Sequence, residues 1–115
     1  MPGTMVLNEL LSHLMTTLGI SLAELAQAVG ASDRTVVRWL ADETYPRHAS
    51  RDKLDELDAL VRRLDANFKP PDGGATWLHA PSGYFGGLRP LDALVRGRID
   101  AVEAALDALD EGIFV

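Results

Sequence analysis

Cysteine is absent from the 115 residues, so neither a disulfide nor a thiolate metal site can be built, and a reducing compartment is permitted. No apolar run approaches the roughly 20 residues that span a bilayer. Residues Met1 to Thr4 lack the basic start and apolar core of a secretion signal. These absences predict a cytoplasmic protein with no membrane association. Catalytic signatures are missing too. His13, His48 and His79 lie far apart and have no ligand partners at i+3 or i+4, and no phosphate loop or nucleophile–base pattern occurs. Gly86-Gly87 is too short to cradle a phosphate. The acid groups Asp52/Asp55/Glu56 and Asp107/Asp110/Glu111 read as solvated helix faces. The expectation is a non-enzyme with no cofactor, no metal and no catalytic residue.

Positive charge is scarce: 11 Lys and Arg stand against 17 Asp and Glu, a net of −6. That total opposes indiscriminate DNA binding, which needs cations to neutralise phosphates. Its distribution is uneven. Residues 30–51 hold Arg34, Arg38, Arg47 and Arg51 against Asp33, Asp42 and Glu43, a local net of +1, whereas residues 52–115 carry −5. The one locally basic stretch therefore sits in the first half.

What is plentiful is apolar surface, at 47% of residues, enough to drive folding. Val6, Leu7, Leu10, Leu11, Leu14, Met15 and Leu18 recur at helical spacing and predict a helix over 5–18 that stops at Gly19. Ser21 with Glu24 is a capping-box pattern opening a second helix that stops at Gly30. Ser32 caps a third over 33–41, and 42–50 reads as a loop. Leu54, Leu57, Val61, Leu64 and Phe68 step by 3 and 4 along a helix over 51–68; this stripe suits either a dimer seam or packing on its own domain. The run Pro70 to Gly74 breaks the pattern, which places a boundary there, between 1–69 and 70–115. Beyond it come one helical turn near 76–80, a loop over 81–89, a helix 90–96 opened by Pro90, and a last helix from Ile99 to Gly112. No strand is expected: the fold class is all-α, a helix-turn-helix bundle followed by a small helical module.

The segment SLAELAQAVGASDRTVVRWL carries the strongest signal. Ala26 is small where two helices cross, Gly30 suits the tight turn, and Val36 and Trp39 point inward with Leu22 and Leu25. This is the helix-turn-helix arrangement, with its second helix available for the major groove of operator DNA. At these residues the chain resembles the Xre-like (Cro/repressor) family over about residues 5–67. Ser32, Asp33, Arg34, Thr35, Val37 and Arg38 occupy the outer face. Arg34 and Arg38 are the candidate base readers, Ser32 and Thr35 candidate phosphate contacts, and Arg47 and Arg51 candidate backbone contacts; alternatively these arginines only solvate the helix or pair with Asp42 and Glu43. One such unit covers a half-site, so a homodimer is expected.

From Thr76 the chain reads TWLHAPSGYFGGLRPLDALVRGRIDAVEAALDALDEGIFV. Through Trp77-Leu78, Pro81, Gly86-Gly87, Pro90, Leu91, Leu94, Gly97, Val102, Leu106 and Gly112 it resembles the toxin-binding domain of the Xre/MbcA/ParS antitoxin family; the bulky Tyr84-Phe85 pair departs from that pattern. Trp77 is expected in a local mini-core. Tyr84 and Phe85 are either part of that core or rigid aromatic anchors for a partner. Ile113, Phe114 and Val115 follow the glycine stop, and each large apolar side chain left in water forgoes about 1.5–3 kcal/mol. They dock either on the chain's own helices or in a partner's pocket. The resemblance implies a RES-domain toxin that degrades NAD⁺ as the partner. It further implies a blocking tail at Gly112–Val115, an acidic last helix facing a basic rim, and repression of the shared operon in a higher-order toxin–antitoxin complex. A stand-alone repressor that uses its second half only to oligomerise is the alternative.

Overall fold

Local capping chemistry sets the helix boundaries in the computed structural model, which describes residues 6–69 and 73–112. The first helix, α1 (Leu7–Leu18), closes at Gly19, whose N–H donates to the Met15 carbonyl. The next, α2 (Leu22–Val29), opens with a full capping box: Ser21 Oγ accepts from the Glu24 N–H at 3.1 Å, and Glu24 Oε1 accepts from the Ser21 N–H at 2.9 Å. Gly30 then takes φ 73°, a left-handed conformation that a β-carbon would strain. Two residues later Ser32 starts α3 (Asp33–Leu40) by accepting from the Thr35 N–H at 3.1 Å. The turn between α2 and α3 is thus closed by a glycine on one side and a hydroxyl cap on the other.

A 20-residue helix follows, α4 (His48–Asn67), then α5 (Gly73–His79), a 3₁₀ turn at Gly83–Phe85, α6 (Pro90–Val95) and α7 (Ile99–Asp110). The described residues contain no strand, and the fold is all-α as expected. Two boundaries differ from the sequence-based expectation. The loop after α3 is shorter, because α4 begins at His48 rather than Arg51, on a backbone cap at Arg47 that uses no side chain. Gly73 and Gly74 also belong to α5 rather than to a connecting break. A β-carbon on Gly74 would lie 3.0 Å from Leu64 Cβ, so the helix crosses α4 at a close approach that a larger residue would have to push open.

The core is continuous across both halves. Leu11, Leu14, Leu18 and Leu25 from the first helices, Leu54, Leu57, Leu60 and Val61 from α4, and Leu78, Leu91, Leu94, Ile99, Val102 and Leu106 from the later ones form one buried cluster. Because α4 packs against α1, α2, α5 and α7, its leucine stripe is consumed inside the chain. Leu54, Leu57 and Leu60 are 0% exposed, which rules out their service as a dimer seam.

Polar contacts fasten the same junctions. Lys53 Nζ donates to the Gly97 carbonyl at 3.2 Å, Ser50 Oγ to the Val29 carbonyl at 3.4 Å, and His79 Nε2 to the Leu18 carbonyl at 2.9 Å. The carboxylates expected to be merely solvated on α7 prove to be a clasp. Arg63 reaches Asp107 at 2.6 Å and Asp110 at 3.0 Å, and Asn67 adds a 2.7 Å bond to Asp110. The Asp107 bond first, then that to Asp110, pushes the Arg63 guanidinium above its ordinary pKa. By contrast, Asp52 and Asp55 stay at the surface, beside His48 and Arg51 of their own helix.

Two stability outcomes follow. Leu57→Ala should cost about 2–5 kcal/mol in urea unfolding, as truncation of a fully buried leucine does. Moreover, the loss should appear in a single transition reported alike by Trp39 and Trp77, since both halves share the core. Ser32→Ala should cost about 1 kcal/mol through the lost cap.

Candidate functional site

The α2–turn–α3 unit presents one side of α3 to solvent. Its inward side chains, Val36 at 0% and Trp39 at 3% exposure, anchor it in the core. Gly30, Ser32, Thr35, Arg38, Tyr45 and Arg47 border a cleft of about 430 Å³ between α3 and the start of α4. Four of the five residues singled out from sequence for DNA thus meet in one place; Arg34 stands outside the cleft, on the exposed surface of α3.

Their environments are unequal. Ser32 and Thr35 share a hydroxyl–hydroxyl hydrogen bond of 2.9 Å while Ser32 also caps the helix, so both are already engaged within the chain. Arg38 leans toward Glu43, with Nε 3.7 Å from Oε1, both side chains being largely exposed. Arg34 and Arg47 are exposed and form no ion pair among the described residues. Asp33, in the first turn, favours the helix dipole yet subtracts from the positive potential of the surface.

Two residues of this region went unassigned or under-used in the sequence reading. Tyr45 is 66% exposed at the cleft edge, and a hydrogen bond to Asp42, then the charge of that carboxylate, raises its phenol pKa above the usual 10.0. Its signal was an aromatic residue in a short loop beside Pro46 and Arg47. Val37, read among the outer-face residues turned toward DNA but given no role of its own, is 50% exposed in the middle of α3.

The second candidate surface is the 82–88 loop. Ser82, the buried polar residue at 8% exposure, organises it. Its Oγ accepts from the Tyr84 N–H at 3.2 Å, its N–H donates to the Leu88 carbonyl at 3.0 Å, and its carbonyl accepts from the Gly87 N–H at 2.8 Å. The loop is therefore closed on itself and rigid. It displays Tyr84 at 45% and Leu88 at 50% exposure, with Phe85 half-buried and edge-on to Tyr84 at a centroid distance of 5.2 Å. Leu88 was not anticipated; its position just after the glycine pair was the available clue. Trp77 is half-buried and stacks on Phe68 at 5.7 Å against the main core, rather than forming the expected mini-core with Tyr84 and Phe85, which pair with each other instead. Just after the loop, Arg89 and Asp92 join at 2.9 Å, and that hydrogen bonding to Arg89 draws the Asp92 carboxyl below its usual pKa.

Gly112 closes α7 with φ 78°. The expected blocking residues Ile113, Phe114 and Val115 lie outside the described residues. Among the described residues no group of three or more His, Asp or Glu could hold a metal ion, and no helix is long and apolar enough to cross a membrane.

Comparison with known proteins bears on the second surface and on the family. Residues 63–112, from the second half of α4 through α7, match the antitoxin Xre/MbcA/ParS C-terminal toxin-binding domain. Over 113 residues the chain is 33% identical to the mycobacterial cidal antitoxin MbcA of Mycobacterium tuberculosis and of Mycobacterium bovis, covering 98% of this chain and 99% of the relative. A probable mycobacterial cidal antitoxin of M. tuberculosis is 31% identical over 97 residues, covering 84% of this chain and 82% of the relative. The crystal structure of the M. tuberculosis MbcT–MbcA toxin–antitoxin complex contains a chain that superposes with a TM-score of 0.65 at 31% identity, covering 97% of this chain and 100% of that one. With likeness running over 99% of the length of MbcA and residues 63–112 matching a toxin-binding domain, this chain belongs to the Xre/MbcA/ParS antitoxin family.

Proposed function

We propose that this protein is the antitoxin of a type II toxin–antitoxin pair. On this reading it neutralises a RES-domain, NAD-degrading toxin by covering the toxin's active site, and represses its own operon through α2 and α3. The observation that carries the reading is the joining, through one core, of a capped helix-turn-helix to a segment matching a toxin-binding domain over residues 63–112. The likeness to a chain of the MbcT–MbcA complex supports a toxin protein as partner. The labour divides near residue 70, with DNA on the side of 1–69 and the toxin on the side of 70–115, and α4 serving as the shared support. The protein acts in the cytoplasm, as a homodimer that enters a higher-order complex with its toxin.

On the toxin side, Tyr84, Phe85 and Leu88 form an apolar cluster held by a rigid loop, and such pre-organised aromatics lose little entropy on docking. The tail Ile113–Val115, following the stop at Gly112, is the segment that enters the toxin's active-site mouth. On the DNA side, Arg34 is the principal base reader, because its guanidinium forms no ion pair among the described residues. Arg38 and Arg47 support it, and the engaged hydroxyls of Ser32 and Thr35 approach phosphate only as a capped pair.

Deleting Ile113–Val115 should abolish growth protection in cells co-expressing the toxin while leaving operator gel shifts nearly intact. Full protection by the truncated chain would exclude the tail as the blocking element. Arg34→Ala should lose about 1–3 kcal/mol of base discrimination in competition gel shifts; an unaltered preference for operator over random duplex would remove Arg34 as a reader.

A further inference from the structure

The middle of α3 carries an exposed side chain that folding does not explain. Val37 is 50% exposed, whereas its neighbour Val36 is 0% exposed and supplies the packing. A β-branched residue on a solvated helix surface gains little from burial and lowers helix propensity relative to alanine. Its neighbours on that face are charged: Arg34 and Asp33 lie one turn before it and Arg38, paired with Glu43, directly after it, all exposed. A lone valine between arginines offers too little apolar area to hold a protein partner, but it matches a ligand that is itself polyanionic and carries isolated methyl groups.

We propose that Val37 is a specificity-determining residue that packs against the C5-methyl group of a thymine in the major groove, beside a guanine gripped by Arg34. The inference rests on the DNA-binding reading above and deepens it. Thymine alone among the bases presents a methyl group there, and small apolar side chains recognise it by contact. The spacing agrees. Three helical residues rise about 4.5 Å, against about 3.4 Å per base along a strand, so Arg34 and Val37 reach neighbouring base pairs. The half-site is accordingly expected to hold a guanine and a thymine within one or two steps of each other, the thymine being read by its methyl alone.

The test uses the full-length chain, alone and co-expressed with its toxin, and a duplex enriched by it from a pool with a randomised core. Each thymine of that duplex is replaced in turn by deoxyuridine, which deletes the methyl and leaves base pairing intact. Replacement at one position per half-site should weaken binding about fourfold, the worth of one buried methyl. Val37→Ala should weaken binding to the unmodified duplex by a similar factor, leave thermal stability undiminished, and render the protein indifferent to deoxyuridine at that position. If the wild-type chain tolerates every deoxyuridine replacement, or if Val37→Ala remains as sensitive as wild type, the methyl contact is overturned while DNA binding stands. If no duplex is enriched by either preparation, the DNA-binding reading itself falls and takes the inference with it.

Discussion

Burial of the α4 leucine stripe is the constraint on which the rest depends. Leu54, Leu57, Leu60, Val61 and Leu64 touch partners from both ends of the sequence, because α4 lies against α1 and α2 on the one hand and α5 and α7 on the other. Each half is small, and small domains bury a low fraction of their chain and are only marginally stable alone. Sharing one helix resolves this: the same leucines that complete the core beneath α2 and α3 also seat the helices behind the Tyr84 loop. The polar fastenings at Lys53–Gly97, Arg63–Asp107 and His79–Leu18 sit at the same seams and fix orientation more than they add stability.

Charge is arranged on the same plan. Arg62, Arg63, Arg89 and Arg98 each pair with an aspartate nearby, so much of the positive charge beyond residue 51 is neutralised within the chain. In the first half, Arg51 pairs with Asp55 and Arg38 with Glu43, while Arg34 and Arg47 form no ion pair among the described residues. A protein of net charge −6 can thereby still offer a duplex an attractive face, provided that it approaches α3 first.

Much of this architecture could be read before any coordinates, and the reasons are local. The Ser21/Glu24 capping box, the stops at Gly19 and Gly30 and the buried position of Trp39 each follow from chemistry within a few residues. What escaped depended on distant partners. Gly73-Gly74 reads as a break unless one knows that Leu64 presses against the helix at that point. The start of α4 at His48 carries no side-chain cap to announce it. The Asp107–Asp110 pair looks solvated until Arg63, more than 40 positions earlier in the chain, is brought beside it. Of the surface residues, the outward position of Val37 and a pairing of Arg38 with Glu43 lay within the sequence reading, whereas the cleft shared by Ser32, Thr35, Arg38 and Arg47 and the exposure of Tyr45 and Leu88 are properties of the packed chain.

If α3 binds DNA as proposed, the Arg38–Glu43 pair is an internal rival for that ligand. To engage a nucleic acid, Arg38 must let go of Glu43, so part of what it gains from the polyanion is offset by the carboxylate left behind. Added salt weakens both attachments together. On that reading the salt dependence contributed by Arg38 would be shallower than that of Arg34, and Glu43, without touching the duplex, would tune how tightly the helix holds it.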